Sequence, residues 1–141
     1  GSGFNDIELS GNLLGIGQAA YEHAIEHARN RFQGGKIIIE HQAMKLKLAD
    51  MYMRLEAGRS YYFKVVEDCM KDIEGTSASK QLMKVFATEV AQSVTRDAVE
   101  IFGGMGVMKD APVEKLMRDA SIFTHLAAGT VNTLMAAEKL T

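Results

Sequence analysis

"LSGNLLGIGQAAYEHAIEHARN", residues 9–30, admits two readings that lead to different folds. Taken as a motif, "GIGQAA" (Gly15 to Ala20) matches the loose Gly-x-Gly-x-x-Ala form of a dinucleotide fingerprint, which works only as a turn between a strand and a helix. Taken as a pattern, Leu9, Leu13, Ile16, Ala20, Ala24 and Ala28 recur at spacings of three and four, the period of one helix face. The pattern runs straight through the two glycines and no strand precedes them. The segment is therefore read as one helix, with glycines that permit close helix packing, and the fold that follows is helical.

Working outward, the helix runs into "RFQGGK", where Gly34 and Gly35 break the pattern as a helix C-terminus should. A longer run begins near Ile38 and carries Leu48, Met51 or Tyr52, Leu55, Tyr62, Val65 or Val66, Cys69 and Ile73 on one stripe before Gly75 stops it. Thr76 and Ser77 can cap a third helix with Leu82, Phe86, Val90, Val94, Ala98 and Ile101 on its inner face. It ends at Phe102 and the glycines of "IFGGMGV". Pro112, the only proline, suits the first turn of a fourth helix bearing Val113, Leu116, Met117, Ala120 and Phe123, and a last helical segment follows Gly129. No stretch alternates apolar and polar residues long enough for a confident strand. The expected fold is all-α: an antiparallel up-down four-helix bundle with a short extra C-terminal helical segment.

Composition bounds function. The 141 residues are 47% hydrophobic, enough for one domain with a buried core. Gly1 to Gly3 read as a cloning remnant and residues 4–141 as the domain. A net charge of -2, from 16 Lys and Arg against 18 Asp and Glu, gives no reason to expect nucleic acid or an anionic membrane as partner. Cys69 is the only cysteine, so an internal disulfide and a multi-cysteine zinc site are excluded, and a reducing, intracellular, cytoplasmic setting is expected. No apolar run approaches the roughly 20 residues needed to cross a bilayer.

Several residues suggest chemistry and are read otherwise. His23 and His27 stand four apart, the spacing of a metal pair, but no glutamate follows the first histidine directly and Glu22 and Glu26 flank them. A solvated charged face is the better reading, and no metal site is assigned. Cys69, on the apolar stripe, is read as an inert thiol. His125 stays open between a structural and a functional role. Two glycine-bearing breaks remain, with a third turn beyond them. "NRFQGGK" offers Arg31, whose planar fork binds phosphate oxygens in pairs, with Gln33 beside it and exposed amides on Gly34 and Gly35. "EIFGGMGV" offers bare amides at a helix corner, and "AAGTVN" places Thr130 near a helix start.

"GIGQAAYEHAIEHARNRFQGGKIIIEHQAMKLKLADM", "AVEIFGGMGVMKDAPVEKLMRDASIF" and "AAGT", in that order and spacing, resemble the C-terminal helical domain of the FAD-dependent acyl-CoA dehydrogenases, from about Leu9 onward. The resemblance implies a bundle that joins two further domains in enzymes oxidising the Cα–Cβ bond of an acyl-CoA thioester. It implies homo-oligomers, dimers or tetramers, with FAD held between subunits. The family's Arg-x-Gln-Phe-Gly segment, which reaches the FAD diphosphate of a neighbouring subunit, maps onto Arg31, Gln33 and Gly35, with Gly34 where phenylalanine is usual. The family's glycine corner maps onto Gly103 and Gly104, with Glu100 where glutamine is common; a carboxylate there would repel a diphosphate unless turned away or protonated. Thr130, and Asn132 in place of glutamine or glutamate, map onto the flavin-contacting turn. Ala128 occupies the position of the glutamate base of many members, and the alternative base position falls near Asn5, with Asp6 and Glu8 close but unaligned. No catalytic residue is assigned. The expected role is that of the C-terminal domain of such a dehydrogenase, which binds FAD weakly or not at all by itself. The alternative is a relative without dehydrogenase activity that acts as a flavin-binding or self-associating helical module.

Overall fold

The computed structural model describes residues 2–103, 112–127, 135 and 137–139. Four long helices carry it: α1 (Ser2–Asn30), α2 (Gln42–Met70), α3 (Thr76–Gly103) and α4 (Pro112–Ala127). Residues 135 and 137–139 are helical as well, where the extra C-terminal segment was expected. The only strands among the described residues form a two-residue ladder, β1 (Phe32–Gln33) against β2 (Lys36–Ile37), followed by a 3-10 turn over Ile38–Glu40.

The directions of the helices follow from which residues meet. Asp6 pairs with Lys84, the Gly17 backbone lies against Ala91 and Val94, and His27 stacks on Phe102, so α1 and α3 run parallel. Leu14 meets Gly58 and Tyr21 meets Tyr52, so α2 runs opposite to α1. Helix α4 packs on both α1 and α3, which form the central pair. This is the expected up-down arrangement, tightened along one diagonal. The small residues explain the closeness: Ala20, Ala24 and Ala28 on α1 and Ala87, Ala91 and Ala98 on α3 are all essentially without solvent contact. A Cβ on Gly17 would come within 3.1 Å of Leu55 Cδ2, and one on Gly58 within 2.7 Å of Leu14 Cδ2. Gly17 therefore fits the close-packing reading; Gly15, with open space around its Cα, does not.

The buried faces of α2 and α3 depart from the apolar stripes of the sequence. On α3 the expected Val90, Val94, Ala98 and Ile101 are buried, but so are Met83, Lys84, Thr88, Thr95 and Val99, because a helix packed against three others has little outer face. On α2, Leu48, Met51, Leu55 and Val65 are buried whereas Tyr52 is 49% and Ile73 47% exposed. Ile73 lies beyond the end of α2, so helical period no longer fixes its direction.

Three boundaries also differ. Helix α1 starts at Ser2 instead of near Leu9, since Asp6 and Ser10 are polar residues turned inward: Ser10 Oγ donates to the Asp6 carbonyl at 2.7 Å and Asp6 meets Lys84. The Gly34-Gly35 pair is a hairpin turn and not a helix stop. Both glycines have positive φ, 63° and 78°, the signature of the two-residue turn whose twist suits an antiparallel ladder. Helix α2 consequently starts at Gln42, later than expected. Thr76 does not cap α3 as expected; its hydroxyl donates back to the Ile73 carbonyl, while the Gly75 carbonyl accepts the first helical bond, from Ser79 N at 3.1 Å.

Candidate functional site

Parallel α1 and α3 with antiparallel partners bring four helix ends together. The C-termini of α1 and α3 lie at the same end of the bundle as the N-termini of α2 and α4. Every described residue singled out for cofactor contact is at this end. Arg31 and Gln33 sit in the hairpin that leaves α1, and Gly103 is the last residue of α3. Gly104, Ala128, Thr130 and Asn132 lie outside the described residues, and of His125 only the backbone, within α4, is described.

The hairpin is held from three sides. Ile38 N donates to the Arg31 carbonyl at 2.7 Å, closing its base. Ile38 itself is buried and anchors the return strand. His41, the residue before α2, donates from Nε2 to the Gln33 carbonyl at 2.6 Å, which places the hydrogen on that nitrogen because a carbonyl only accepts. The side chains left outward are Arg31, Phe32 and Gln33, with Phe32 70% exposed. Among the described residues Arg31 has no ion-pair partner, so its guanidinium is available to an external anion. Gly35 has open space where a side chain would stand. An aromatic therefore does project from this hairpin, from Phe32 and not from position 34. A phenylalanine at position 34 would have to adopt the left-handed φ of 63°.

His27 corrects the solvated-face reading. His23 is exposed, but the ring of His27 is half-buried and stacked on Phe102, with centroids 4.2 Å apart and planes 27° from parallel. Burial first, and then the Arg31 charge, hold its imidazole below the ordinary value, so it is neutral near pH 7. Its Nε2 is buried without a partner among the described residues. The stack ties the last turn of α1, and hence the Arg31 hairpin, to the last turn of α3, and hence Gly103. No group of three metal-ligating side chains occurs among the described residues.

Glu100, one turn before Gly103, is ionised and paired across the helix interface. Its carboxylate accepts a hydrogen bond from Lys47 Nζ of α2, and that bond holds it below the usual carboxylate range. Lys47 also stands 4.0 Å from Asp97 Oδ1. Burial pushes the Asp97 carboxyl up while Lys47 pulls it down. The feature expected to repel a diphosphate is thus an ionised group with its own counter-ion. Lys47 was missed in the sequence because 53 residues separate it from Glu100. No local pattern announces such a pair.

One end of the helical bundle thus gathers an exposed arginine without an ion-pair partner among the described residues, a glycine turn, two helix N-termini and a carboxylate with its own counter-ion, groups of the kind that can meet an anion. The acyl-CoA dehydrogenase C-terminal domain matches residues 7–137, and the chain belongs to that family as its C-terminal domain. It is 41% identical over 125 residues to an acyl-CoA dehydrogenase of Bacillus subtilis, covering 88% of this chain and 32% of that protein. It is 40% identical over 126 residues to a short-chain-specific acyl-CoA dehydrogenase of Megasphaera elsdenii, again over 88% of this chain and 32% of the relative. Butyryl-CoA dehydrogenase from M. elsdenii superposes with a TM-score of 0.85 at 35% identity, over 93% of this chain and 34% of that one. An acyl-CoA dehydrogenase from Mycobacterium smegmatis superposes with a TM-score of 0.90 at 31% identity, over 96% and 36%. The chain spans about a third of the length of these relatives.

Proposed function

We propose that residues 4–141 serve as the C-terminal domain of a longer flavoenzyme that oxidises the Cα–Cβ bond of an acyl-CoA, and that the end of the bundle bearing Arg31 and Gly103 receives the diphosphate of FAD. The observation that carries the reading is the convergence of the Arg31–Gln33 hairpin with the end of α3 through the His27–Phe102 stack. Arg31 would bind the phosphates in pairs, Gln33 would add a polar contact, and the amides of Gly103 and Gly104 would allow close approach. Thr130 and Asn132 would meet the flavin. When bound, FAD supplies the acceptor for the substrate's β-hydride. These contacts are few, so the 141-residue chain is expected to hold FAD weakly, with tight binding reserved for a homo-oligomer, dimer or tetramer, that completes the site. A cytoplasmic setting accords with the single free cysteine.

A second reading, a relative that binds flavin without dehydrogenation, is favoured by one observation: Ala128 stands at the family's base position, and a methyl group accepts no proton. Anaerobic flavin bleaching by a panel of acyl-CoAs, in the longer protein and its Ala128→Glu variant, separates the two. Bleaching in the unaltered protein is the result expected of a dehydrogenase whose base lies outside these residues. Bleaching only in Ala128→Glu, by the hundred- to ten-thousand-fold that a general base typically contributes, would instead establish the inactive relative (~10² to 10⁴). A protein with no flavin at all would defeat both.

A further inference from the structure

The end of the bundle assigned to a diphosphate carries fixed negative charge of its own. Helix α3 delivers the negative end of its dipole there, together with Asp97 and Glu100 in its last two turns. Glu100 is three residues from Gly103 and so lies one turn from the glycine on which close approach depends. Its carboxyl is held low by Lys47 and stays ionised at neutral pH. Among the described residues, the cations around these two carboxylates are Lys47, Arg54 and Arg96. Arg54 is engaged by Asp50 at 2.9 Å, and Arg96 acts on both without a direct ion pair among the described residues. Lys47 alone among the described residues reaches both, bonded to Glu100 and 4.0 Å from Asp97, from a position on α2 where about a third of its side chain remains in solvent.

We propose that Lys47 is the positioning residue that makes this end of the bundle tolerant of an anionic cofactor: bridging from α2 to the last turns of α3, it cancels the Glu100 charge, so that Arg31 and the Gly103 backbone act on a diphosphate without an opposing carboxylate field. Lys47 does this through Glu100 and not by touching phosphate; its ammonium is already committed. A glutamate in place of a neutral residue at position 100 is thereby workable only together with a cation at 47. The inference rests on the diphosphate reading above.

The test uses the isotopically labelled 141-residue chain and inorganic pyrophosphate, followed by amide chemical shifts. In the unaltered chain, pyrophosphate should shift the amides of Arg31, Gln33 and Gly103. Lys47→Met should weaken that titration about fivefold, the size expected of one uncancelled, partly screened charge. Lys47→Met with Glu100→Gln should restore it to within about twofold, because the charge Lys47 cancels is then absent. Glu100→Gln alone should bind no more weakly than the unaltered chain. In the same samples, the Glu100 carboxyl should titrate at higher pH in Lys47→Met, which verifies that the pair forms in solution; equal melting temperatures verify folding, so that a binding loss rescued by Glu100→Gln reports charge and not structure. Unchanged binding in Lys47→Met overturns the proposal. So does a double variant as weak as the single one, which would make Lys47 a direct phosphate ligand. Pyrophosphate that shifts none of these amides in the unaltered chain defeats the diphosphate reading itself, an outcome distinct from the other two.

Discussion

Among the described residues, two lysines bridge α3 to a neighbour, one toward each end, and they do opposite things. Lys84 and Asp6 meet at 2.7 Å with side chains only 11% and 4% exposed. Lys47 and Glu100 meet with 32% and 56% exposed. Coulomb attraction operates in both, but water screens the second and is excluded from the first. The buried bridge makes a parallel register of α1 on α3 obligatory, since a slide would strand two charges in a core. The exposed one adds little to stability and shapes the electric field where a ligand would approach. The same pair of residue types thus serves architecture where it is dry and, in the proposal above, recognition where it is wet.

The sharpest way to break this comparison is to remove each lysine in turn. Lys84→Met leaves Asp6 buried beside apolar neighbours and should lower unfolding free energy by about 3–5 kcal/mol, whereas Asp6→Leu with Lys84→Met should recover most of it. Lys47→Met should cost less than about 1 kcal/mol. Urea unfolding of the four proteins measures this, and equal losses at the two lysines would abolish the distinction.

A smaller effect probes the seam between the two ends. Gly15 and Gly17 are two residues apart in one helix, so intrinsic propensity treats them alike. Gly15→Ala should stabilise by about 0.5–1 kcal/mol, because nothing lies within reach of the added methyl. Gly17→Ala should gain less or lose, since its methyl would come within 3.1 Å of Leu55. Thermal melts in which the two variants shift alike would show that α1 and α2 are packed less closely than described.

The smallest effect separates the wet end by pH. The His27 imidazole has a lower pKa folded than unfolded, so below its ordinary value of about 6.5 the unfolded chain takes up a proton more readily than the folded one. The contribution is present above that pH and is lost as pH falls through the folded value. Stability should therefore decline on acidification from pH 7, and His27→Gln should flatten part of that slope. Superimposable pH profiles would show that the His27–Phe102 stack does not desolvate the ring.

Most of the helices were legible because their cause is local. Ala20, Ala24 and Ala28 announce a face by spacing alone, and Pro112 announces a helix start by its ring. The family was legible for a related reason: "HQAMKLKLADM" and "PVEKLMRDA" are contiguous strings. Within the candidate site, Arg31 and Gln33 could be singled out from their position beside two glycines. Their setting was not, since a glycine pair can end a helix or turn a hairpin with similar positive φ, and only the ladder of Phe32 on Ile37 decides between them.

By itself the amino-acid sequence determined four helices, their order, the glycine breaks and the family, all of which depend on neighbours within a few positions. Tertiary structure alone decided which polar residues are buried and which charges are cancelled. Asp6 lies ahead of the first apolar stripe with no local sign of burial, and Lys84, 78 residues away, is its partner in the core. Glu100 reads as a group that would repel a phosphate, and only Lys47, 53 residues away, gives it a counter-ion. Burial and ion pairing are properties of what surrounds a side chain, and in a bundle those surroundings come from other helices whose distance along the chain carries no trace of the contact.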